Sequence, residues 1–174
     1  MFTTEAQRSQ GRSIRPLRLV IVCSLVLLFA ATAFADEAMP APHPGPNDKC
    51  PVCGMFVARY PDFIASVRFT TGALFFFDGV KDMFKFLHDL AAYAPKLHKE
   101  DIASMQVTEY YDMHSLDARI AYYVMGGNVL GPMGHELIPF KSEQDAQQFC
   151  KDHAGRRIVR FGEVTPALIQ QLDR

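Results

Sequence analysis

Sixteen residues starting at Leu74, LFFFDGVKDMFKFLHD, return in altered form 63 positions later as LIPFKSEQDAQQFCKD, starting at Leu137. Leu74 meets Leu137, Phe77 meets Phe140, Asp82 meets Asp145, Phe86 meets Phe149 and Asp89 meets Asp152. Self-similarity at such a period points to like supersecondary units, each too small to bury its apolar face alone. The first copy reads as an aromatic strand over 73–77, taken as an inner strand because such runs are usually core. A helix follows, with Val80, Met83, Phe84, Leu87 and Ala91 on one stripe, Asp78 as its expected N-cap and Pro95 as its stop. A strand over 63–70 with a Thr71-Gly72 turn precedes this pair, and another over 105–110 follows. The second copy repeats the plan with strands over 118–125, 136–140 and 157–161 and a helix capped by Ser142 and closed by Gly155. The expected fold is of the α+β class, two ββαβ units packed side by side over 49–112 and 113–174.

The 174-residue chain is 49% hydrophobic, enough for one domain or two small packed ones. Its first 35 residues stand apart. Arg8, Arg12, Arg15 and Arg18 precede the apolar run LVIVCSLVLLFAATAFA, which ends in the small-x-small triplet Ala33-Phe34-Ala35. That is the pattern of a secretory signal cleaved before Asp36, in a run short of the roughly 20 apolar residues a membrane span needs. A lipid-modified Cys23 is disfavoured because Val22 stands where a small residue is expected. Residues 36–48, DEAMPAPHPGPND, hold four prolines and read as an extended tether. Losing four arginines and one glutamate makes a chain of net charge −1 more acidic, a poor binder of nucleic acid.

After the signal come three cysteines, Cys50, Cys53 and Cys150, an odd number for an export compartment where thiols tend to pair. Cys50 and Cys53 stand in CPVCGM, which admits three readings. A dithiol oxidoreductase would use Cys50 and Cys53, but the pair precedes a loop and a strand, away from the helix N-terminus that activates such thiols. A zinc knuckle would add Cys150 and His153 as the second half-site of a four-ligand structural centre. A Cu(I) site would add the thioether of Met55, which spacing i, i+2 from Cys53 puts on the same side of an extended backbone. Met133 and His135, in GGNVLGPMGHELIPF, form a second pair with the same spacing and flanking glycines. Such pairs meet only if the two units pack with these edges adjacent, giving one site shared across the junction. Met113-His114 is a further soft pair, held in reserve because neighbouring strand residues point to opposite faces. No paired-carboxylate or Ser-His-Asp arrangement is found, so the chain reads as a binding protein, not an enzyme.

CPVCGMFVARYPDFIASV, FFDGVKDMFKFL, YYDMHSLDARIAYYVMG and LGPMGHELIPFKSEQDAQQF occur in this order between Lys49 and Leu172. The set resembles the NosL family, copper-binding accessory proteins for maturation of nitrous oxide reductase. The resemblance implies two ββαβ domains, Cu(I) as cargo and a periplasmic location, with a membrane tether in the lipoprotein members. It implies an upstream copper donor and, as acceptor, apo nitrous oxide reductase or its maturation machinery. The family's Cys-x-Met falls on Cys53 and Met55, and its Met-Gly-His variant on Met133 and His135. Cys50, which completes a Cys-x-x-Cys, is a departure from many members.

Overall fold

Nearly every side of the helix α1 (Val80–His88) is covered, and this one element organises the fold. The structure, a computed structural model, describes residues 42–174. The N-terminal apolar run, its Ala33-Phe34-Ala35 triplet and the first residues of the tether lie outside them. Strands β1 (Ala65–Phe69), β2 (Leu74–Phe77), β3 (Ile102–Thr108) and β4 (Ser115–Asp117) form an antiparallel sheet ordered β2-β1-β3-β4. Strands β5 (Tyr122–Met125), β8 (Ile138–Phe140) and β9 (Arg157–Arg160) form a second, ordered β8-β5-β9. Between β5 and β8 the chain makes a small hairpin of β6 (Leu130–Gly131) and β7 (Gly134–His135). The other α-helices among the described residues are α2 (Leu90–Tyr93), α3 (Glu143–Asp152) and α4 (Pro166–Leu172).

This is an α+β fold, as expected. In each sheet the first strand lies between the second and the third, with a helix between the second and the third in sequence. Ala65 pairs with Phe77 in one, Tyr122 with Phe140 in the other. Several local expectations need correction. β2 and β8 are edge strands, not inner ones, although Phe76, Phe77 and Phe140 are buried by what packs over them. β4 hydrogen-bonds to β3, so Ser115–Asp117 extends the first sheet's edge. α1 does not run on to Pro95: it ends at His88, and Asp89 caps the single-turn α2, its Oδ1 accepting the Ala92 N–H at 3.2 Å. Ser142 caps α3 as expected, accepting the Asp145 N–H at 3.1 Å. At the other end of α3 the left-handed residue is Ala154, with φ of 54°, and not Gly155. Gly155 is needed for space, since a Cβ there would lie 2.6 Å from Val124 and 2.8 Å from the Cys150 sulfur.

The two helices of the echoed segments diverge for a plain reason. Phe86 and Phe149 occupy the shared position, each facing its own sheet: Phe86 packs on Phe69, Phe75 and Phe77, and Phe149 on Phe140. Two residues earlier α1 has Phe84 where α3 has exposed Gln147. Phe84 reaches the other way, to Tyr123 at 5.6 Å and Phe161 at 5.0 Å between ring centroids, both from the second half. An apolar residue on the back of a helix demands a second apolar surface. α1 is therefore gripped between the two halves, while α3 covers one sheet and shows its other face to water.

Candidate metal centre

Cys50 to Met55 form a tight turn closed by the Cys50 N–H on the Met55 carbonyl at 2.9 Å and by the Gly54 N–H on the Cys50 carbonyl at 2.9 Å. Gly54 takes φ of 80°, a left-handed conformation with open space around it. The backbone between Cys53 and Met55 is thus turned, not extended, and the i, i+2 rule does not apply across it. Gly134, with φ of 82°, similarly separates Met133 from His135 at the tip of the β6–β7 hairpin. What the two motifs share is a soft donor on each side of a left-handed glycine.

The turn lays both cysteines against the start of α1. The Cys53 Sγ donates to the Asp78 Oδ1 at 3.1 Å, and the Cys50 Sγ to the Asp82 Oδ2 at 3.4 Å. One donor atom from each of Cys50, Cys53, Asp78 and Asp82 lies within 4.8 Å of all the others. Cys50 is buried and Cys53 half-buried, while Asp78 and Asp82 are 1% and 2% exposed. The Asp78 Oδ2 is buried with no partner, a cost that an ion bound there would remove. Burial, with the neighbouring carboxylates, pushes the Cys50 thiol up to about 12 and raises the Cys53 thiol as well. An attacking redox thiol needs the opposite shift. The thiols are protonated near neutrality, so a metal must displace their protons to bind.

Asp78 is not the helix cap it was expected to be. Gly79 takes the N-cap position, and the N–H of Lys81 is accepted by the Glu136 Oε1 at 2.6 Å. Relieved of capping, Asp78 turns to Cys53. The sequence reading assigns neither carboxylate to a metal site, although a signal exists: Asp78 and Asp82 are four residues apart in FFFDGVKDMF, acidic groups set among aromatic residues.

Of the five expected donors, Cys50 and Cys53 share the cluster, and Met55 closes their turn through its backbone. Met133, 47% exposed, and exposed His135 ride the β6–β7 hairpin. His135 is not among the donors that lie within 4.8 Å of one another. Its hairpin is nevertheless tied to α1, for the Lys81 Nζ donates to the Met133 carbonyl at 2.8 Å. Cys150 and His153, expected as the second half-site of a zinc knuckle, are not among the donors grouped with Cys50 and Cys53; both lie half-buried beside the second sheet. The His153 ring stacks on Phe149 at 4.4 Å and faces Asn128, and Cys150 packs under Gly155. Met113, at φ of 57°, and His114 lie in the exposed loop before β4.

The family model for NosL matches residues 41–169. This chain is a member of the NosL family. A copper-binding lipoprotein NosL of Stutzerimonas stutzeri is 32% identical over 126 residues, which make up 72% of this chain and 66% of that protein. The match therefore spans just under two thirds of that relative's length. The crystal structure of the copper chaperone NosL from Shewanella denitrificans superposes with a TM-score of 0.62 at 26% identity, over 73% of this chain and 96% of that one. No helix among the described residues is long and apolar enough to cross a membrane.

Proposed function

We propose that the chain binds Cu(I) through Cys53 and Cys50, with Met55 and a donor from Met133 or His135, and delivers it in the periplasm to apo nitrous oxide reductase or its maturation machinery. The single observation that carries this reading is the convergence of two thiols, one buried and one half-buried, against buried carboxylates of which the Asp78 Oδ2 has no partner. Soft sulfur donors select Cu(I), which accepts two or three ligands and so leaves room for an incoming acceptor ligand. Half-buried Cys53 can take part in such an exchange, while buried Cys50 keeps its hold. Copper is then cargo passed through shared intermediates, and no acid, base or nucleophile is called for. The names of the relatives support copper; the oxidation state and the acceptor are our reading. So is export, for which the Ala33-Phe34-Ala35 triplet gives a mature N-terminus at Asp36.

The test is a competition titration with a Cu(I) chelator. Cys53→Ala is expected to reduce affinity most, because the thiolate balances the charge of the ion. Met55→Leu, Met133→Leu and His135→Ala should each reduce it less, and Cys150→Ser should leave it at the parent value. Unaltered binding by Cys53→Ala would sink the reading. A second reading follows from the carboxylates: Cys50, Cys53, Asp78 and Asp82 make a closed four-donor set of the kind that holds Zn(II). In that case Asp78→Asn and Asp82→Asn abolish zinc binding, and Met133→Leu and His135→Ala change no metal affinity.

A further inference from the structure

The β6–β7 hairpin and α1 are joined by two buried side chains that cross the same gap in opposite directions. From the hairpin side, the Glu136 Oε1 accepts the N–H groups of Lys81 at 2.6 Å and Leu137 at 2.8 Å. Glu136 supplies the cap that α1 lacks in its own sequence. The fit leaves little room beside Glu136 at two glycines. A Cβ on Gly79 would lie 2.1 Å from the Glu136 Oε2, and one on Gly131 would meet the Glu136 Cγ at 3.1 Å. From the helix side, Lys81, 1% exposed, donates from its Nζ to the Met133 carbonyl at 2.8 Å and to the Leu172 carbonyl at 3.5 Å, and faces the Asp173 Oδ1 at 3.2 Å. Lys81 thus holds the backbone of Met133, and Glu136 directly follows His135.

Two polar side chains buried in this way cost desolvation that an apolar pair of the same size would not, and they are best explained where they fix one geometry against alternatives. The hairpin itself has little else to hold it. It has two residues per strand, and Leu130 and Met133 are exposed. On the α1 side, Lys81 lies between Asp78 and Asp82, the carboxylates that receive the two thiols.

We propose that Glu136 and Lys81 form a clasp that presents Met133 and His135 to the Cys50/Cys53 site, which makes them positioning residues for copper loading. The proposal rests on the reading of the hairpin as a copper donor. Removing groups that orient metal ligands costs about 10- to 100-fold in metal affinity. Glu136→Leu keeps the bulk and removes the oxygen that accepts both N–H groups, while Lys81→Met keeps the aliphatic stem and loses the bond to Met133.

The experiment is a Cu(I) competition titration of both variants, alone and combined with His135→Ala, with melting temperatures recorded in parallel. About a ten-fold or greater loss is expected from each single variant, with no further loss in combination with His135→Ala, because the imidazole is then already out of place. Parent-like affinity with a lowered melting temperature would reduce the clasp to a structural role and overturn the proposal, as would fully additive losses. If Met133→Leu and His135→Ala themselves bind copper as the parent does, the donor reading has failed, and the clasp's role in loading with it. Should a variant not fold, amide exchange in the parent decides: the Lys81 and Leu137 N–H groups are expected to be protected like those of the central strands. Exchange of these two as fast as that of Gly134 rules the clasp out.

Discussion

Cys50 and Cys53 carry protons that the surrounding carboxylates and burial help to retain. Because the Cys50 thiol is pushed up to about 12 and that of Cys53 is also raised, both stay protonated throughout the range from pH 6 to 8. Each thiolate bound to Cu(I) therefore releases one proton, and affinity is expected to fall about ten-fold per thiol for each unit the pH is lowered. Chelator competition at three pH values reads the number of thiols bound from the slope, and a flat profile would mean that neither thiol is a ligand. The same shift has a consequence for the metal-free protein. A thiol whose folded pKa lies above its unfolded value of 9.0 contributes its stability fully below that value, and the contribution is lost as pH rises toward about 12. Urea unfolding of the apo protein should accordingly weaken above pH 9, and less so in Cys50→Ser.

Helices α1 and α3 start in different ways, and substitutions at their caps should have different reach. Ser142 acts within its own helix: its Oγ accepts the Asp145 N–H and donates to the Asp145 Oδ2 at 2.6 Å. Ser142→Ala is expected to cost about 1 kcal/mol of stability with copper affinity unchanged, measured by urea denaturation and chelator competition. A change in affinity would show that the second sheet's helix is coupled to the site. α1 instead borrows its cap from Glu136, 55 residues downstream, so its first turn cannot be disturbed without disturbing the hairpin. The echoed segments that look alike in sequence have thus diverged at their starts. Asp82 receives a thiol where Asp145 completes a cap.

At the scale of the molecule, the main core cluster draws on both halves, with Tyr123, Met125, Leu137 and Val159 joining the residues of the first sheet. α4 adds Leu168, Ile169 and Leu172 to it and packs along α1. Neither ββαβ segment closes its own core, and thermal unfolding is expected to be a single transition with a calorimetric to van't Hoff enthalpy ratio of about one. Two resolved transitions would show independent halves. Phe84→Ala removes the ring that joins α1 to the second sheet and should cost about 3–5 kcal/mol. Gln147→Ala, at the matching place on α3, should be nearly silent in the same denaturation series.

Periodicity and local chemistry determined a good part of this protein. The ββα order of each half, the Ser142 cap and the paired donors around Gly54 and Gly134 are written in short stretches, because each depends on neighbours within a few residues. The motifs running from Cys50 to Phe149 sufficed to suggest the family. Decided only in three dimensions were the partners brought in from a distance. Asp78 is spared from capping by Glu136, Asp82 is turned to Cys50, and Cys150 and His153 are placed beside Phe149 of the second sheet's cluster, away from Cys50 and Cys53. The same holds for the edge positions of β2 and β8 and for the burial of α1 on nearly every side. A sequence pattern reports which residues seek an apolar or polar environment, but not which of several equally polar groups will supply it. That choice is made by packing two halves around one helix, where the desolvation of each buried charge must be met by whatever group the fold brings within reach.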